Sequence, residues 1–188
     1  YLPETMRNYL LRLGWSHGDD EIISTELAIE WFNLENIGKS PARMDFKKLD
    51  NLNGHYIRAH SDESLLSEVV ATLARRTPPI VLDENSRARL TKAMPGLKER
   101  AKTLIELTRS ANFLYKDGPQ TPDQDAVKLL TDDARKIIAK VRPILAAADW
   151  SSASLEQVVR NFAVAEGLKL GQVAQPLRAA ITGQATSP

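Results

Sequence analysis

Two arginines stand where a guanidinium could meet another molecule. Arg100 lies four residues before Leu104 and seven before Leu107. On a helix it extends an apolar stripe upstream, and its side chain either snorkels to the surface or projects to a partner. Arg178 follows Pro176-Leu177 within residues 167–183, a run that also holds Gly167, Gly171 and Gly183. Val173, Leu177, Ala180 and Ile181 read as the inner face of a short helix closed by Gly183. Arg178 then sits about 100° around from Leu177, at the edge of the packed face. A guanidinium held there offers two parallel donors, which suits base edges or phosphates.

Other chemistries find little support. His55 and His60 are five apart, not the three or four that share a helix face, and His17 falls in a polar loop, so no metal site is expected. The chain has no cysteine, which removes disulfides, thiolate zinc sites and a Cys nucleophile. No Gly-x-Ser-x-Gly elbow and no phosphate loop occur, so catalytic residues are expected to be absent. The carboxylate runs Asp19-Asp20-Glu21 and Asp132-Asp133 read as solvated faces or first-turn charges.

The elements that must position the arginines read as helices throughout. Hydrophobic content of 43% supports packed cores, while 26% charged residues supports a wetted surface. Pro3 opens a helix with Met6, Tyr9, Leu10 and Leu13 on one face, ended by Gly14. Ser24 or Thr25 caps a second, with Leu27, Ala28, Trp31 and Phe32 apolar. Asp45 caps a third, inside which Gly54 implies close packing. Ser61 caps a fourth, broken at Thr77-Pro78-Pro79. A helix from Asp83 to Met94 closes at Pro95-Gly96, and another spans 98–116. Thr121-Pro122-Asp123-Gln124 reads as a capping box for a helix running to a break near Pro143, and Ser154 as the start of the next. No period-two strand is evident. The expected fold class is all-α.

Net charge is only +1, so any nucleic-acid contact must rest on a local patch. No apolar run approaches the roughly 20 residues of a membrane span, and lack of cysteine favours a cytoplasmic setting. The chain opens on Tyr1 and stops at Pro188, and both ends read as cut from something longer.

Three blocks resemble one family. They are residues 1–16, opening Tyr1-Leu2-Pro3-Glu4-Thr5; residues 46–58, with Leu52-Asn53-Gly54-His55-Tyr56-Ile57-Arg58; and residues 167–183. In order and spacing they are similar to the C-terminal part of bacterial glutamyl-tRNA synthetases. The resemblance implies a stem-contact region at 1–64, then two small helical anticodon-binding subdomains at 65–120 and 121–188, the latter truncated at its C-terminus. It implies that the parent charges glutamate tRNA using ATP and magnesium. The family's two ATP-handling signatures lie upstream and do not occur here, so the fragment itself is expected to need no cofactor and to be inactive. The expected partner is glutamate tRNA, with no DNA or membrane, and the expected state is a monomer.

The resemblance also assigns residues. Arg100, before Thr103-Leu104-Ile105-Glu106, matches the family's reader of the third anticodon base, where arginine favours C over G. Arg178 matches a second anticodon-contacting arginine, and Ser187-Pro188 match a pair that touches the anticodon loop. Arg7, Arg12, Lys47, Lys48 and Arg58 are stem-side candidates. The contrasting expectation from the residues alone is a helical protein-interaction module without RNA affinity.

Overall fold

The structure, a computed structural model, describes all residues except 40, 117, 119, 187 and 188. The described residues are helical, as expected, with no strand beyond a single bridge between Trp15 and Ile37. The helices pack as two compact units, Tyr1–Ala111 and Asn112–Ser187. The expected boundary at 64/65 falls inside the first unit, and the packing divides the chain at 111/112.

In the first unit, α1 (Pro3–Gly14), α2 (Thr25–Trp31), α3 (Phe46–Ala59), α4 (Asp62–Ala74), α5 (Glu84–Lys98) and α6 (Leu104–Ser110) follow in order. Of the two candidates for capping α2, Ser24 does so and Thr25 is the first helical residue; Asp45 and Ser61 cap α3 and α4, and each of the three side chains accepts from a first-turn backbone N–H. α4 packs against α5 and α6, burying Leu65, Val69, Leu73, Leu90 and Leu107. Polar side chains do much of the joining elsewhere. Asn8 on α1 accepts from Ile23 N–H at 2.5 Å and donates to Glu21 carbonyl at 2.9 Å, drawing in the loop before α2. Tyr9 hydroxyl accepts from Asp45 N–H at 2.6 Å, holding the cap of α3.

Several expectations need correction. On α1 the buried residues are Thr5, Asn8 and Tyr9, whereas Leu10 is exposed, because the neighbours recruit α1 through hydrogen bonds. α2 buries none of its residues. α5 does not stop at Met94 but runs through Pro95-Gly96 to Lys98. Pro95 deprives Thr91 of its helical donor, yet Thr91 is exposed and water can serve its carbonyl. The helix expected over 98–116 is two: Thr103 caps a fresh start at Leu104 by accepting from Glu106 N–H. Arg100 therefore lies on a turn rather than on a helix.

In the second unit, α7 (Asn112–Tyr115), α8 (Gln124–Leu129), α9 (Asp132–Ala146), α10 (Ser152–Ala165) and α11 (Leu170–Thr182) form a small bundle. Its core is Val141, Phe162, Ala163 and Val173, with Ile137, Leu145, Val159, Leu168 and Leu177 around it. The single helix expected from Thr121 is α8 and α9. Asp123 rather than Thr121 caps α8, and Thr131 caps α9 by accepting from Ala134 N–H. α9 continues through exposed Pro143, and Ser151 rather than Ser154 caps α10. α11 contacts α7, α8, α9 and α10, so its buried positions are Val173, Pro176, Ala179 and Thr182. The expected inner residues Ala180 and Ile181 face water, Ile181 at 61% exposure. Small residues at 176 and 179 let neighbouring helices approach that side.

Candidate nucleic-acid interface

Three of the five stem-side candidates line two clefts of the first unit, Arg7 one and Arg12 with Lys48 the other. One cleft, about 660 Å³, is lined by Glu4, Arg7, Asn8, Thr25, Glu26, Ile29 and Tyr56 among others. Arg7 Nε donates to Thr25 Oγ1 at 3.1 Å. The Glu26 backbone N–H and the Ser24 hydroxyl hold the Glu26 carboxyl below its ordinary range, and Arg7 adds to that. Arg7 thus ties α1 to the start of α2.

Tyr56 closes the same cleft, its hydroxyl donating to Asn8 Oδ1 at 3.2 Å and lying 3.3 Å from the Ile23 carbonyl. Burial, with Glu4 nearby, raises its phenol above the ordinary 10.0. The folded state therefore prefers the neutral phenol. That preference is fully present below pH 10 and is lost as pH climbs through the raised value. Thermal unfolding of the first unit should be flat near pH 9 and fall above pH 10, and Tyr56→Phe should shrink the fall. An equal fall in the variant would show that other groups carry it.

The second cleft, about 670 Å³, is lined by Tyr9, Arg12, Leu13, Glu21, Ile22, Lys48, Asn51, Leu52 and His55. It brings together Arg12 from α1 and Lys48 from α3, which are far apart in sequence. Arg12 lies 3.7 Å from Glu21 across its mouth. Lys47 is exposed one residue away, and its backbone N–H serves the Asp45 cap. Arg58, in the last turn of α3, lies back over Gly54, its Nη1 3.3 Å from where a Cβ would stand. Sequence reasoning missed Asn51 and His55 as cleft residues, although their spacing from Lys48 on a helix, three and seven residues, carries the signal.

Arg100 is exposed on the turn between α5 and α6. Its neighbour Ala101 is buried at 5% exposure, and Lys102 is tied at both backbone groups. Glu106 Oε2 accepts from Lys102 N–H at 2.8 Å, and Asn53 Nδ2 donates to the Lys102 carbonyl at 2.5 Å. Arg178 is half-buried on α11, and its carbonyl accepts from Thr182 Oγ1 at 2.8 Å. Arg100 belongs to the first unit and Arg178 to the second. Ser187 and Pro188 lie outside the described residues.

His17 stacks on Trp31 with ring centroids 4.1 Å apart, and its Nδ1 is 3.0 Å from Asp20. Among the described residues no cluster of three His, Asp or Glu side chains could hold a metal ion, and no helix is long and apolar enough to cross a membrane. The chemistry on offer is cationic and hydrogen-bonding: arginine forks and lysines on helix ends, turns and cleft walls.

Known proteins match this arrangement over the whole chain. A glutamate–tRNA ligase 2 from Parvibaculum lavamentivorans is 57% identical across all of it, and one from Rhodospirillum centenum 55%. The chain spans only 38% and 40% of their lengths. A crystal structure of a glutamate tRNA ligase from Elizabethkingia meningosepticum in complex with its amino acid superposes with a TM-score of 0.80 at 26% identity, covering 100% of this chain and 37% of that one. The family model for the anticodon binding domain matches residues 64–188. That match takes in most of α4 and all of α5 to α11, with the turn carrying Arg100 and the helix carrying Arg178, and by it the chain belongs to the anticodon binding domain family.

Proposed function

We propose that this chain is the tRNA-binding, anticodon-recognising part of a glutamate–tRNA ligase. The observation that carries the reading is its match, over its full length, to glutamate–tRNA ligases in which it spans a minor share. Joining glutamate to tRNA with ATP and magnesium then belongs to the remainder of the parent, acting in the cytoplasm as a monomer. This part contributes affinity and selectivity.

The physics of anticodon reading suits these two arginines, Arg100 exposed and Arg178 half-buried. Anticodon bases are unpaired at a loop tip and display their pairing edges. Cytosine presents acceptors that a guanidinium fork can meet, whereas guanine opposes the fork with donors of its own. By analogy with base readout in duplexes, one such pair discriminates by about 1–3 kcal/mol. Arg100 is read as the contact to the third anticodon base and Arg178 as a second anticodon contact. Arg7, Arg12, Lys47, Lys48 and Arg58 would add phosphate contacts on the stem, which weaken as salt rises.

Titration of the 188-residue chain with glutamate tRNA at low and high salt tests the reading. Binding should fall with salt, and Arg100→Ala and Arg178→Ala should each weaken it about tenfold. Absence of salt-dependent binding would point to a protein-interaction module instead. Wild-type affinity in both variants would remove the two arginines from the anticodon contact.

A further inference from the structure

Arg100 stands on a short turn whose two flanks are pinned. On one side Lys98, the last residue of α5, has its Nζ 2.6 Å from Asp62 Oδ1 and donates to the His60 carbonyl at 3.1 Å. On the other side Lys102 is held by α3. Asn53 Nδ2 donates to its carbonyl at 2.5 Å, and Lys102 Nζ donates to Asn51 Oδ1 at 2.9 Å. Between them Ala101 is buried, and its carbonyl would lie 3.6 Å from a Cβ at Gly54. Asn53 is itself fully buried, and its Oδ1 accepts from Leu2 N–H and Thr5 Oγ1, both at 2.9 Å. One amide therefore joins the start of α1 to the turn that carries Arg100.

A guanidinium that separates two bases must hold its fork within a fraction of an ångström of the correct base edge. Arg100 is exposed on this turn, so the placing of its fork depends in part on how firmly the turn's backbone is set. We propose that Asn53, with Asn51, is a positioning residue for anticodon discrimination, acting through Lys102 on Arg100. The proposal rests on the reading of Arg100 given above. It makes the region resembling the stem-contact part a contributor to base selectivity without touching a base.

Asn53→Asp isolates the tie. The remaining oxygen still accepts from Leu2 and Thr5; once the carboxyl is ionised, which its burial delays to a raised pH, it has no proton to give the Lys102 carbonyl. Asn51→Ala removes the second tie at an exposed site, where folding is little affected. The 188-residue chain and both variants would be titrated with glutamate tRNA carrying C or G at the third anticodon base, with circular dichroism as the check on folding. The wild type should prefer C by about tenfold. Asn53→Asp should cut that preference at least about threefold, and Asn51→Ala by about twofold, with the salt dependence of binding unchanged. A purely structural role would lower affinity for both tRNAs and leave the ratio alone. A folded Asn53→Asp that keeps the wild-type ratio with its carboxyl ionised, ionisation being read from the pH dependence of its stability, overturns the proposal. If that variant does not fold or stays protonated, an unchanged ratio in Asn51→Ala overturns it. A wild-type ratio in Arg100→Ala would instead overturn the reading of Arg100 itself.

Discussion

Asn53→Ala is expected to destabilise the first unit by about 3–5 kcal/mol, since each buried polar group left without a partner costs about 1–3 kcal/mol. Asn53 is 0% exposed and serves Leu2 N–H, Thr5 Oγ1 and the Lys102 carbonyl. The Thr5 hydroxyl can rotate toward another acceptor. The Leu2 N–H and the Lys102 carbonyl are fixed in the backbone and carry the full penalty, and the truncated side chain leaves a void as well. Small domains are stable by about 5–15 kcal/mol, so the loss is a large share of the total. The measurement is urea unfolding followed by tryptophan fluorescence in a Trp150→Phe background. There only Trp15 and Trp31 remain, both in the first unit. A shift no larger than that of an exposed helix substitution would show that these three bonds contribute little.

Gly183→Ala is expected to destabilise the second unit by about 2–4 kcal/mol, combining a left-handed backbone cost of about 1–2 kcal/mol with a steric clash. Gly183 caps α11 at φ 70°, and an added Cβ would stand 2.9 Å from the Thr121 carbonyl oxygen and 3.0 Å from Gln120 Cβ. The neighbours cannot retreat freely. Gly183 N–H donates to the Ala179 carbonyl at 3.0 Å, and its own carbonyl accepts from Asp123 N–H at 2.9 Å. The end of α11 is thereby locked to the start of α8. Gly167 supplies the control, with φ 67° and nothing within 4 Å of its missing Cβ. Gly167→Ala should cost only the backbone term, about 1–2 kcal/mol. Equal shifts in the two urea midpoints would mean that the contact with Thr121 carries no energy.

Features governed by a few adjacent residues were legible without coordinates. Ser24, Asp45 and Ser61 cap helices because a short polar side chain reaches the first free N–H groups of its own turn. Gly54, a glycine inside a helical pattern, implies close packing and lies against Ala101 and Lys102. Misreadings came where solvent or a distant segment took part. Pro95 and Pro143 continue α5 and α9 because the carbonyls they orphan, on Thr91 and Ala139, are on exposed residues. The inner face of α11 shifted because helices contact it from several sides, so a single apolar stripe does not describe what is buried.

The candidate site divides in the same way. Residue type and local order determined, from the sequence alone, that the chain is helical, that it lacks cysteine chemistry and phosphate loops, and that Arg100 and Arg178 deserve scrutiny. The tertiary structure decided that Arg100 rides a turn, that Asn53 and Asn51 on α3 hold that turn, and that Arg12 and Lys48 share a cleft. The turn itself starts from a local cap at Thr103, but what holds it and what forms the cleft depend on hydrogen bonds and contacts between residues more than 30 positions apart. Helical periodicity reports which face of a segment is apolar, and it contains nothing about which distant amide will meet a given carbonyl.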